Sequence, residues 1–234
     1  MRSSAPGRAF PLIVAAIAAS IAGACDRGTT LRVHYLPGFV AGTEHLFSPV
    51  SIAVVPATGS YASGRFKAGS IYNADNSVAG ELYVKDLGGV ATDAVVQGLA
   101  GAGLKPFALA SAPGSAFPPD VALMLAVEIE DAAVNKRFGM EQTVHGQYFS
   151  MKAQVRLRFT LSTRANPHLY STVTTGTEEE PPAPVGGEVF FPLETEPAES
   201  LSVALSRALG TLILQPYFQH IVASQTFATP HSHE

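Results

Sequence analysis

From Met151 to Leu161 the chain alternates without a break. Met151, Ala153, Val155, Leu157, Phe159 and Leu161 are apolar, and Lys152, Gln154, Arg156, Arg158 and Thr160 between them are polar. Successive side chains of a strand point to opposite faces, so this pattern predicts a long antiparallel strand with one face on a core and one in water. Such a strand needs paired neighbours and a cover for its apolar side. The flanking segments can be read as supplying both.

Candidate partners are short. Val50-Ser51-Ile52-Ala53-Val54-Val55, bounded by Pro49 and Pro56, reads as a buried strand, and Leu82-Tyr83-Val84 as another. Asp120 to Asp131 alternates again, with Val121, Leu123, Leu125, Val127 and Ile129 on one side and Glu128 and Glu130 on the other. Ala132 to His145 reads as a polar connection that closes a hairpin onto the Met151 strand. His168 to Thr177 supplies a further strand, and Lys105 to Leu109 an edge strand, because Pro106 lacks the N–H that a central position needs. Residues 57 to 77, rich in Gly, Ser, Ala and Asn, read as a long loop or a loose hairpin, and a stretch of that length is a candidate partner surface.

Two helices provide the cover. Leu87, Val90, Ala91, Ala94, Val95, Gly98 and Leu99 recur at helical spacing behind Asp86, a candidate N-cap, and Gly103 is placed as the stop. The second opens at Pro197 with the stripe Leu201, Ala204, Leu205, Ala208, Leu209, Leu212 and Ile213, and Pro216 ends or kinks it before Tyr217, Phe218, Ile221 and Val222. The expected fold is α+β, an antiparallel sheet with two helices packed on one face. Its expected bounds are a single domain over 48–225, preceded by a signal peptide at 1–24 and a tether at 25–47, in which Leu31 to Leu36 reads as a short strand broken by Pro37 and Gly38, and followed by a disordered tail at 226–234.

The N-terminus carries the clearest functional signal. Arg2 and Arg8 precede an apolar run from Phe10 to Ile21, about a dozen residues and so too short to span a bilayer. It ends in Ile21-Ala22-Gly23-Ala24-Cys25, and Cys25 is the one cysteine of the chain. A lone cysteine excludes an intrachain disulfide, so folding rests on the core. Small residues before a cysteine resemble the lipobox of bacterial lipoproteins, in which the thiol is lipidated, as by palmitate, and becomes the mature N-terminus. The position three before the cysteine, where that family prefers Leu, holds Ala22. Asp26 occupies the place that signals inner-membrane retention in enteric bacteria; the rule does not extend to all bacteria, and inner versus outer membrane is left open. A plain cleavable signal peptide is the alternative.

Chemistry elsewhere is sparse. No His-x-x-x-His pair occurs among the 7 histidines, and His231-Ser232-His233 lies in the tail. Glu178-Glu179-Glu180, followed by Pro181, Pro182 and Pro184, reads as a solvated loop that ends the sheet, because consecutive carboxylates point in different directions. Gly101-Ala102-Gly103 reads as a helix end, not a nucleotide fingerprint. Removing residues 1–24 takes Arg2 and Arg8 away, leaving 13 of the 15 basic residues against 19 acidic ones, a net charge of −6. An acidic chain without basic clusters is a poor nucleic-acid partner.

The layout of Cys25, the Val50–Val55 strand with its Gly/Ser-rich sequel, the Leu87–Gly103 helix, the alternating strands and the Leu201 helix resembles small envelope lipoproteins of the YajG type and the auxiliary lipoproteins of ABC transport systems. That resemblance implies a non-enzymatic, lipid-anchored protein facing the periplasm and assisting a transport or assembly complex, without a cofactor or metal. A lipid or small-ligand carrier and a periplasmic hydrolase are the alternatives.

Overall fold

The computed structural model describes residues 28–39, 42, 45–111, 117–118, 121–141, 146–185 and 195–226. Among these described residues eight strands form one sheet: β1 (Thr29–Leu31), β2 (Ser51–Val54), β3 (Arg65–Tyr72), β4 (Val78–Lys85), β5 (Lys105–Ala108), β6 (Leu123–Glu141), β7 (Gly146–Ser162) and β8 (Tyr170–Val185). The helices are α1 (Leu87–Gly101), α2 (Thr195–Ile213) and α3 (Pro216–Thr226).

β6 is the axis of the sheet. One edge pairs along its length with β7, which pairs in turn with β8, all antiparallel. The other edge is shared: its first residues, Leu123 to Leu125, take β2, and Val134 to Arg137 take β3, both in parallel. β2 carries β5 and β4 carries β1, again in parallel, while β3 and β4 form an antiparallel hairpin. The sheet is therefore mixed, and the antiparallel expectation is corrected. Alternation reports only that one face is buried. It is blind to the direction of the partner strand, which the connections set: β2 returns to its neighbour β5 through a crossover containing α1.

Met151, Ala153, Val155, Leu157, Phe159 and Leu161 are all buried, as their alternation predicts. They meet α2, which lies across β6, β7 and β8, while α1 packs on β2, β5 and α2. These elements share one apolar cluster, in which Phe159, Leu205, Leu209, Leu99 and Phe218 are fully buried. Two glycines set the spacing. A Cβ on Gly176 of β8 would lie 2.5 Å from the Ala208 nitrogen and overlap the Ala204 carbonyl, both α2 backbone, and one on Gly98 of α1 would lie 2.5 Å from Leu209 Cδ2.

Three local readings are decided by the strands. Of the two readings of 57–77 the hairpin holds: 57–64 is irregular, and β3 occupies 65–72 and turns at Asn73–Ser77 into β4. The 132–145 connection is mostly strand, since β6 continues to Glu141 and β7 starts at Gly146. The acidic run does not end the sheet either, because β8 stays paired with β7 through Val185, with one register shift between Glu180 and Ala183. Asp86 stands at the N-cap position but adopts φ 51° and makes no capping bond; its Oδ1 instead accepts the Gly64 N–H at 3.1 Å.

Residues 29–36, within the segment expected as tether, are built into the domain. Leu31 and Val33 are buried, and the His34 and Leu36 N–H groups donate to Ser202 Oγ at 3.1 Å and Ser206 Oγ at 2.9 Å on α2. The signal-peptide residues and the tail from residue 227 lie outside the described residues. Among the described residues, no helix is long and apolar enough to cross a membrane.

Candidate functional site

A β-bulge decides where the charged groups of β6 go. The β6–β7 register shifts between Ile129 and Asp131, leaving Glu130 as the extra residue. Before it the buried positions are odd (Leu123, Leu125, Val127, Ile129); after it they are even (Ala132, Val134, Lys136). The one-residue slip turns Lys136 toward the core side.

Across the strands Lys136 stands opposite Met151, which stands opposite Glu180. The first turn of α2 then brings Glu196 onto this row. Lys136 Nζ pairs with Glu196 Oε2, their side chains 4% and 19% exposed, and Ser200 Oγ donates to Glu180 Oε1 at 3.3 Å. The ammonium also lies 4.5 Å from the Phe149 ring centroid and 5.5 Å from that of Phe138, an aromatic lining that favours a cation. The result is a buried ion pair that fastens the start of α2 to the end of the sheet.

Burial raises the Glu180 carboxyl above its ordinary value, the charges of Glu196 and Glu178 add to this, and Ser200 and Lys136 act against it. Such a group binds its proton more tightly when folded. Its contribution to stability is full below the unfolded pKa and is lost as pH rises through the folded one. Stability is accordingly expected to decline as pH rises above the ordinary value of 4.5, and Glu180→Gln to flatten that decline. Urea midpoints across this range measure both slopes; equal slopes would contradict the assignment.

At the same end, the outward side chains Asn135, Arg137, Lys152 and Glu179, together with Tyr72, Ser150, Met151 and Glu180, line a cavity of about 510 Å³. Arg137 lies over the Tyr72 ring at 5.7 Å, and Lys152 sits 3.7 Å from Glu179. Further along the outward face Arg156 and Arg158 both pair with Glu130, and Arg158 also reaches Glu128 at 3.6 Å. A second cavity, about 470 Å³, lies where Leu46 and Phe47 meet Gln219, His220 and Val222 of α3.

The residues singled out in the sequence separate as follows. Cys25, His231 and His233 lie outside the described residues. Glu178, Glu179 and Glu180 alternate in partners as a strand requires: Glu178 pairs with Arg207, Glu179 with Lys152, and Glu180 with Ser200. His34, His45, His168 and His220 are exposed and far apart in the chain. Among the described residues, no three His, Cys, Asp or Glu side chains gather as a metal set. Lys136 and Glu196 were not legible as a pair. The available signal was the alternation Ala132, Val134, Lys136, Phe138, one residue out of phase with the strand before it.

No family model matches the chain. No curated protein matches it by sequence. Among solved structures, protein XCC0632 of Xanthomonas campestris, from the family DUF330, aligns at 10% identity and TM-score 0.43 over 87% of this chain and 99% of that one. A Helicobacter pylori protein named as a homolog of a neuraminyllactose-binding hemagglutinin aligns at 10% identity and TM-score 0.36, over 86% and 100%. The hypothetical protein CT253 of Chlamydia trachomatis aligns at 9% and 0.36, over 76% and 99%. All three are bacterial, and likeness at this level carries no functional argument.

Proposed function

We propose that this chain is a lipid-anchored accessory protein of the bacterial envelope, of the YajG-type or ABC-transport auxiliary kind, that faces the periplasm and assists a transport or assembly complex without catalysing a reaction. The observation that carries the reading is the position of its one cysteine, Cys25, behind small residues at the end of the apolar run. The fold offers such a role a docking edge. Among the described residues β8 pairs only with β7, and its other side, where Arg207 already donates to the Thr177 carbonyl at 2.7 Å, is the candidate for an added strand. Pro181, Pro182 and Pro184 donate no N–H there, which leaves the part from Tyr170 to Glu180 for pairing.

In vivo cross-linking of the full-length protein from membranes, beside its Cys25→Ser form, tests this, with proteins and lipids both identified. A defined transport or assembly complex captured only with Cys25 present supports the accessory role. Two soluble forms without a partner would overturn it, and a stoichiometric co-purifying lipid would favour a carrier.

A further inference from the structure

The point at which the chain enters the domain determines which surface a lipid on Cys25 would hold to the bilayer. Gly28 is already fixed. Its carbonyl accepts from Arg65 Nη2 at 3.1 Å, the Arg65 guanidinium lies 3.7 Å from the Tyr83 ring centroid, and Tyr83 crowds the position where a Gly28 Cβ would stand. From there β1 pairs with β4, and the next residues are bonded to α2 through Ser202 and Ser206. Only Asp26 and Arg27 separate Cys25 from Gly28. Three Cα steps reach at most about 11 Å, well short of the width of a small domain. The lipid therefore has almost no slack chain between it and the β1–β4 edge.

The register gives the direction. Thr29 stands opposite Leu82 in parallel, so going back along the chain from Thr29 leads toward Val78, at the start of β4, and the Asn73–Ser77 turn. Val78 is apolar and 56% exposed. Tyr72, just before the turn, pairs with Arg137, so the cavity carrying Arg137 and Lys152 lies at the same end of the sheet. Of the charged groups at this end, Lys152 is paired with Glu179 and Asp75 in the turn is acidic, so the short tether and the apolar tip at Val78, not charge, point this end to the bilayer.

Resting on lipidation at Cys25, we propose that the β3–β4 turn and the adjoining end of the sheet lie against the bilayer that anchors the chain. The opposite end, where β8 begins at Tyr170, then faces away from the membrane and toward a partner.

Lipidation removes the native thiol, so an added cysteine is uniquely labelled. Lipidated full-length Ala74→Cys, in the turn, and Ser171→Cys, at the start of β8, are each labelled with an environment-sensitive fluorophore. They are placed in phosphatidylglycerol–phosphatidylethanolamine vesicles containing a lipid with a nitroxide on its headgroup. The proposal predicts that the label at 74 loses most of its emission and the label at 171 keeps it. Equal emission from the two, or stronger quenching at 171, with the lipid on Cys25 verified by mass, would overturn the orientation alone. A Cys25 that carries no lipid would overturn both the anchoring reading and the orientation.

Discussion

Gly176→Ala is expected to destabilise the fold by about 3 kcal/mol, the upper end of the range for overpacking a tight contact. The added methyl would meet the α2 backbone at Ala204 and Ala208, which has no rotamer to change, so the helix itself must lift from β8. Ala204 and Ala208 are small and fully buried, and leave no space to absorb the shift. Gly98→Ala provides the control. There the obstacle is the end of the Leu209 side chain, which can rotate, and the roughly 1 kcal/mol gained by replacing a helical glycine offsets much of the strain. A large drop in urea midpoint for Gly176→Ala and a small change for Gly98→Ala is the expected pair of results. Equal drops would mean that α2 does not approach β8 this closely.

Lys136→Met is expected to cost about 3 kcal/mol, because it leaves the Glu196 carboxylate without its cation in a largely buried position. The lower end of the usual range applies, since the Glu196 side chain retains some access to water. Replacing both partners, Lys136→Met with Glu196→Gln, is expected to recover most of that loss, as buried ion pairs exchanged for neutral groups of similar volume often do. Comparing the two in urea separates a clamp from a site. If the double variant is stable, the charges are dispensable for the fold, and any loss of partner capture in that variant belongs to binding.

Much of the architecture was readable because it rests on short-range periodicity. The Met151–Leu161 strand, the α1 and α2 stripes, the edge strand with Pro106 and the break at Pro216 all follow from residue spacing and from what proline lacks. The long extent of β6 was hidden by one residue. Glu130 bulges out, the inward positions change from odd to even, and Ala132 to Glu141 then reads as a connection although it continues the strand. Pairing direction was hidden for another reason: parallel partners β2 and β3 join β6 at different halves, an arrangement set by long-range contacts that no window of residues contains.

The candidate site was less legible than the fold. Lys136, Glu180 and Glu196 come from three separate elements, and their meeting depends on the bulge phase, the β7–β8 register and the landing point of α2 together. The acidic run misled because carboxylates and prolines ordinarily mark solvated loops. Here β8 tolerates them at the sheet edge, where Arg207 and Lys152 pair with two of the three glutamates. The reading of Cys25 is independent of all this, since it rests on the chain ahead of the domain.

The most direct test of the anchoring account is intact mass measurement of the mature protein purified from bacterial membranes. The expected species is a chain that begins at Cys25 and carries the added mass of a thioether-linked diacylglycerol. A chain cleaved at another position, or one beginning at Cys25 with an unmodified thiol, would contradict it.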